Sequence, residues 1–264
     1  MTHCATAISD LTSHMVSLSV NVNKVATLRN SRGGALPSVV RAVETCVAAG
    51  APGITVHPRA DERHIRRTDV TDIAAWLAAY RARGGRPVEF NIEGDPRPDL
   101  IAMTLAVRPD QCTLVPVMPG EVTSQAGWPA DTPEAHLSGT IATLHAAGVR
   151  VNVFVDPDPA PIRWAARLKA DRVELYTEPF ARAFASGEDA GRASFARYAA
   201  AAELAHSLGL GVNAGHDLDL DNLQLFRTLP HLDEVSIGHA LIGHALWVGL
   251  DRAVRDYLGL LRGV

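Results

Sequence analysis

Eight short apolar runs, each too short for a helix and each followed by enough chain to hold one, restrict this sequence more than any other feature. They cover residues 18–21, 53–57, 88–93, 112–115, 151–156, 172–176, 210–213 and 234–237. All are aliphatic or β-branched, and nearly every one ends on a polar residue. Strand alternating with helix is the pattern this spacing predicts. Parallel strands need crossover connections, and eight such units close into a single-domain α/β (β/α)8 TIM barrel whose chemistry sits at the carboxyl ends of the strands.

The length of 264 residues fits one such domain, here 17–264 after a loose tail over 1–16, and a hydrophobic fraction of 47% supplies its core. A net charge of −4 gives no electrostatic basis for binding nucleic acid or an anionic membrane. Cys4, Cys46 and Cys112 have neither metal nor redox spacing, which favours a reducing cytoplasm. Residues 1–16 carry His3, Asp10 and His14 and no continuous apolar core, so they do not read as a signal peptide. No apolar run approaches the ~20 residues of a membrane span.

Between the strands, Pro37 and Ser38 open a helix bearing Val39, Val40, Val43 and Val47 and closed by Gly50. Thr68 reads as the N-cap of a second, with Asp69 and Asp72 in its first turn and Gly84 and Gly85 at its end. Further helices are expected over 100–107, 133–147, 162–170, 190–208 and 220–229, and one C-terminal helix over 240–261 should seal the barrel. Residues 116–133 are rich in glycine and proline and lack periodicity, as expected of a lid on the catalytic face.

The strand ends present a convergent set: Asn21, Asn23 and Lys24; His57 and Arg59; Glu93; Thr123; Asp156; Glu174 and Thr177; Asn213 and His216; Gly238 and His239. Histidines at the ends of three different strands meet only at a barrel mouth. Small residues in 213–216 and 236–239 follow strands seven and eight, where this fold commonly binds phosphate through backbone N–H groups. Arg29, Arg32, Arg59 and Arg63 lie in the first two loops and could hold a second anion. The same residues leave other readings open. His57, Glu93, Asp156, Glu174 and His216 could ligate a divalent cation in a sugar-phosphate isomerase. Lys24 is the one lysine available for Schiff-base chemistry, and a barrel can also bind a phosphorylated metabolite without turning it over.

In order along the chain, the segments 21–33, 53–59 with His64, 91–93, 114–116, 121–123, 173–175, 212–216 and 237–240 resemble the pyridoxine 5'-phosphate synthase family. The resemblance implies condensation of 1-deoxy-D-xylulose 5-phosphate with 3-amino-1-hydroxyacetone 1-phosphate to pyridoxine 5'-phosphate, phosphate and water, with no cofactor and no metal. It implies His57 and Glu93 as proton acceptors, His216 as proton donor and Glu174 as an acid near the reacting centre. Asn21, Arg32, Gly238 and His239 match contacts to the amino-ketone phosphate; Arg59, His64 and Thr123 match contacts to the deoxyxylulose phosphate. Two departures stand out: Asn23-Lys24 replaces the family's Asp-His, and Asp217 takes the place of a usual glycine. Asn23 and Lys24 should alter the charge at a substrate contact, and Asp217 should put a carboxylate beside an anion-binding amide. The family also implies a homo-oligomer, an octamer built from dimers.

Overall fold

In a computed structural model, which describes residues 15–117 and 124–263, the eight runs form eight parallel strands closed into one barrel. The strands are β1 (Ser17–Asn21), β2 (Gly53–Val56), β3 (Glu89–Gly94), β4 (Gln111–Leu114), β5 (Arg150–Val155), β6 (Arg172–Tyr176), β7 (Gly211–Gly215) and β8 (Leu232–Ile237). Each pairs with the next, and β8 closes on β1 in the register Ser17↔Glu234 to Val20↔Ile237. Around them lie α1 (Asn23–Asn30), α2 (Val39–Ala49), α3 (Arg67–Ala82), α4 (Pro98–Val107), α5 (Ala135–Ala146), α6 (Pro159–Arg167), α7 (Glu178–Ser186), α8 (Glu188–Ser207), α9 (Leu223–Phe226), α10 (His239–Val248) and α11 (Leu250–Arg262).

The strands are not uniformly apolar, unlike the aliphatic runs expected from the sequence. One face of each carries Leu18 and Val20, Ile54 and Val56, Val151 and Val153, or their equivalents, all fully buried in the main apolar core. The alternate residues are polar and bond to one another from strand to strand inside the barrel. The hydroxyls of Ser19 and Thr55 lie 2.7 Å apart, Asn91 donates to Thr55 at 3.3 Å, and Thr113 donates to Asn91 at 3.0 Å. Asn152 donates to Thr113 at 3.3 Å and to Glu174 at 3.2 Å. Toward the amino-terminal end, Asn213 donates to Glu234 at 3.1 Å, Arg172 donates to Asn213 at 2.8 Å, and Arg150 binds Gln111 and Glu89. A hydrogen-bonded belt thus replaces the layers of branched aliphatic side chains common in this fold, and most of its buried polar groups find partners.

Five helical details differ from expectation, one being that the helix expected over 220–229 shortens to α9. Ser38 caps α2 as foreseen, accepting from the Arg41 N–H at 3.2 Å. Thr68, however, lies inside α3, not at its cap: the helix starts at Arg67, and the Asp69 carboxylate accepts from the Arg66 N–H at 2.7 Å. That acceptor closes the amino end from within the first turn. α1 and α7 were not anticipated, because one directly follows a strand and the other is a short amphipathic piece set against α8 at Gly187. The single helix expected over 240–261 is two, broken at Gly249, whose φ of +85° a side chain would resist.

Candidate active site

At the carboxyl ends of the strands the barrel opens into a cavity of about 860 Å³. Asn21, Asn23, Lys24, His57, Arg59, His64, Glu93, Glu174, His216, Asp217, Gly238 and His239 all border it. The strands deliver these groups in their inward register, so His57, Glu93 and Glu174 continue the polar face of β2, β3 and β6 upward. His57 and Glu93 are nearly inaccessible, and Nδ1 of His57 lies 3.9 Å from Oε2 of Glu93. Asn21 also approaches that oxygen, donating at 3.4 Å.

Burial dominates the protonation of this set. It holds His57 well below the ordinary histidine value, with His64, Arg59, Arg97 and His216 adding to the effect. It lifts Glu93 to about 8, helped by the charge of Glu234. Glu174 is pushed well above the usual carboxylate range by burial and by Glu93, against the hydrogen bond from Asn152. His216 is also lowered by burial, opposed by the Asp217 carboxylate and the Gly215 carbonyl. At neutral pH these shifts favour neutral imidazoles beside protonated carboxyls. Nε2 of His57 and Nδ1 of His216 are buried without a hydrogen bond of good geometry.

One side of the cavity is basic. Lys24, Arg59 and His64 border it, and burial together with Arg59 and Lys24 lowers His64 to about 4. Next to them, Gly238 precedes α10, whose first amides have no side-chain cap and are free to meet an anion. A Cβ on Gly238 would stand 3.1 Å from Asn21 Cβ, so the close approach of these two loops favours glycine. The opposite side carries Asp156, Tyr176, Glu178 and Arg182, which border the cavity but were given no substrate contact by the sequence reading.

Several sequence expectations change. Arg29 does not face an anion site: it is buried, its guanidinium clasps Asp69 with both ends, and it donates to the His64 carbonyl at 3.1 Å. Arg63 is engaged with Asp61, and Arg32 lies on the exposed turn after α1 and is not among the residues that border the cavity. Gly215 ends β7 and does not follow it; a Cβ there would lie 2.5 Å from Oε1 of Glu174, so this glycine makes room for a carboxyl, not for phosphate. Asn23 uses its Oδ1 to accept from the His57 N–H at 2.9 Å, which fixes the β2 end without charge. Asp217 is exposed with φ +58°, a conformation open to glycine and tolerated by Asp, and its carbonyl accepts from Asn222 at 3.0 Å. Thr123 lies outside the described residues, as does 118–123 of the expected lid. The flank after it is pinned: Trp128 donates through its backbone to Phe154 and through its indole to Leu114, each at 2.9 Å.

The sequence pattern described as "Pyridoxal phosphate biosynthesis protein PdxJ" matches residues 18–263. The chain belongs to the PdxJ family. Pyridoxine 5'-phosphate synthase of Bacteroides thetaiotaomicron is 50% identical to it over 249 residues, covering 94% of this chain and 100% of that one. The enzyme of the same name from Leptospira biflexa serovar Patoc is 47% identical over 253 residues, covering 94% and 97%. Beyond the PdxJ family only the fold is shared. A tryptophan synthase structure from M. tuberculosis superposes with a TM-score of 0.61 at 14% identity, over 94% of both chains. Phosphoribosyl anthranilate isomerase superposes at 0.55 and 11% identity, over 95% of this chain and 100% of the other.

Proposed function

We propose that this PdxJ-family chain is a pyridoxine 5'-phosphate synthase, joining 1-deoxy-D-xylulose 5-phosphate to 3-amino-1-hydroxyacetone 1-phosphate. The observation that carries the reading is the cluster of His57, Glu93, Glu174 and His216 in one polar cavity with a basic wall beside it. Imine formation, loss of phosphate, dehydration and ring closure each move a proton, and groups shifted toward neutrality suit that work. Neutral His57 is the first acceptor. Glu93 accepts a proton in its ionised form, the fraction of the free protein that grows as pH rises toward about 8. His216 acts as donor: the phosphate charge that the substrates bring raises its pKa against the lowering by burial. Glu174 stands by as an acid near the reacting centre. Gly238, His239 and Asn21 form one phosphate and amino-ketone contact region, with Arg32 added by the resemblance. Lys24, Arg59 and His64 form the other, with Thr123. Asn23 and Asp217 act through their backbone-supporting bonds and left-handed turn.

The reading requires neither cofactor nor metal. A metal-dependent isomerase would use His57, Glu93, Asp156, Glu174 and His216 as ligands, and among the described residues no three His, Cys, Asp or Glu side chains are grouped to hold an ion. Purified protein given both substrates should release inorganic phosphate and form a product with the absorbance and mass of pyridoxine 5'-phosphate, before and after prolonged chelation. Loss of activity on chelation, restored by one divalent ion, would move the isomerase reading ahead.

The homo-oligomer, an octamer by family resemblance, belongs to this reading. Trp247 is 87% exposed beside Leu246 at 70% on α10, an apolar pair a monomer would leave in water. Light scattering should give a mass several times that of the chain, and Trp247→Glu should reduce it. Among the described residues no helix is long and apolar enough to cross a membrane. Buried free thiols at Cys46 and Cys112 support a reducing cytoplasm.

A further inference from the structure

Thr177 lies directly after β6, is wholly buried, and occupies the position before the first turn of α7. A threonine there ordinarily accepts a hydrogen bond from an amide of the first turn. This one does not cap its helix. Its hydroxyl instead reaches across to the end of β7, lying 2.6 Å from the Gly215 carbonyl oxygen and also bonding the His216 carbonyl. Its backbone N–H donates to the same Gly215 oxygen at 3.0 Å. A hydroxyl has one proton, so it is shared between two consecutive carbonyls, and the turn between β7 and α9 is clamped from the β6 side.

The clamped turn is an unusual one. His216 has φ +85° and Asp217 has φ +58°, both in the left-handed region although neither is glycine. Such backbone persists where its surroundings over-determine it. Asn222 holds the far side through the Asp217 carbonyl; Thr177 holds the near side. The His216 imidazole itself is set against two aromatic rings, Phe154 at 4.9 Å and Tyr176 at 5.5 Å between centroids. Those rings limit its tilt but offer no hydrogen bond. A catalytic histidine is often oriented by a carboxylate or carbonyl on its second nitrogen; the Gly215 carbonyl and the Asp217 carboxylate act on this ring, but Nδ1 makes no hydrogen bond of good geometry to either. Its aim is thus fixed through the backbone.

We propose that Thr177 is a positioning residue, whose hydroxyl holds the left-handed turn that points the His216 imidazole into the cavity. The inference rests on the reading of His216 as proton donor. It explains why a helix-capping residue leaves its own helix uncapped, and why the two non-glycine residues of the turn keep their conformation.

Thr177→Val keeps shape and the backbone N–H but removes the hydroxyl; Thr177→Ser restores it. Thr177→Val should lower kcat about tenfold or more, with KM changed less than about threefold, and Thr177→Ser should stay near wild type. Placed on His216→Asn, Thr177→Val should add nothing. The imidazole signal of His216 in ¹⁵N-histidine NMR should move in Thr177→Val and not in Thr177→Ser. An equal loss of kcat in both backgrounds, or an unmoved His216 signal, overturns the proposal. Near wild-type turnover in His216→Asn alone would instead remove His216 as donor, and the NMR comparison would still decide whether Thr177 holds the ring. If circular dichroism finds Thr177→Val unfolded, Thr177→Ala takes its place in each comparison.

Discussion

Glu93 shows how one side chain ties burial to rate. Its carboxyl is lifted to about 8 by loss of solvent and by Glu234, so in the free protein it is protonated at neutral pH and ionises only above. A group that must be ionised to accept a proton gives a rate that rises with pH through its pKa. The kcat/KM profile, which reports the free enzyme, should therefore climb through about pH 8. His57, held low by burial, stays neutral across that range and adds no limb of its own. Glu93→Gln, His57→Asn and His216→Asn should each lower turnover by about 10²-fold or more with the fold retained. A flat profile, or near wild-type turnover in any one variant, would remove that residue from the proton-transfer set. His57, Glu93 and His216 were legible in the sequence because each stands at or just beyond the end of a strand run. The direction of their shifts was not, since burial depends on which loops close over the mouth. Arg29 was misread for the same reason: its charge is visible in the sequence, its partner Asp69, forty positions on, is not.

At the scale of elements, α1 and the start of α3 act as one brace under the basic wall. Arg29 on α1 clasps Asp69 on α3, while Arg29 and Asn30 both donate to the His64 carbonyl. The segment between them carries Arg59 and His64 to the cavity. Asp69→Asn keeps the shape of the side chain but leaves the Arg29 guanidinium buried without its counter-charge, which costs about 3–5 kcal/mol in comparable cases. Thermal unfolding should shift down accordingly, and KM for the sugar-phosphate substrate should rise more than kcat falls. A stability change below about 1 kcal/mol would show that the pair is not the brace. The strands were readable within one or two residues because their apolar face repeats eight times. α1 was not, since Val22 at its start is no capping residue, and α7 was not, since it is short despite Thr177 and Pro179 at its start; both depend on packing against a neighbour. Nor was the break at Gly249, where a continuous apolar pattern runs through two helices.

The whole molecule is a barrel with a polar interior, and that carries a cost that can be measured. Glu93, Glu174 and Glu234 are all buried inside it and all shifted upward. Glu234 lies toward the closed end, outside the cavity lining; burial is the largest influence on it, Glu89 and Glu174 add to the upward shift, Arg172 and Arg150 oppose it, and it is lifted to about 8 from 4.5. The sign follows from proton uptake. With a folded pKa above the unfolded one, the native state holds a proton that the unfolded state releases as pH rises past 4.5. Its contribution is fully present below that value and is lost as pH climbs through about 8, with a slope of about 1.4 kcal/mol per pH unit between the two. The alternating polar residues that build this interior are visible in the sequence, but their hydrogen bonding across strands appears only when the barrel closes. Glu234→Gln keeps an oxygen for Asn213 to donate to and removes the titration. Chemical denaturation of wild type should show stability falling from about pH 5 to pH 8, and the variant should show a shallower fall with turnover largely kept. A parallel decline in both proteins would mean that Glu234 is ionised in the native barrel, held by Arg172 and Arg150, and that the alkaline loss belongs to Glu93 and Glu174.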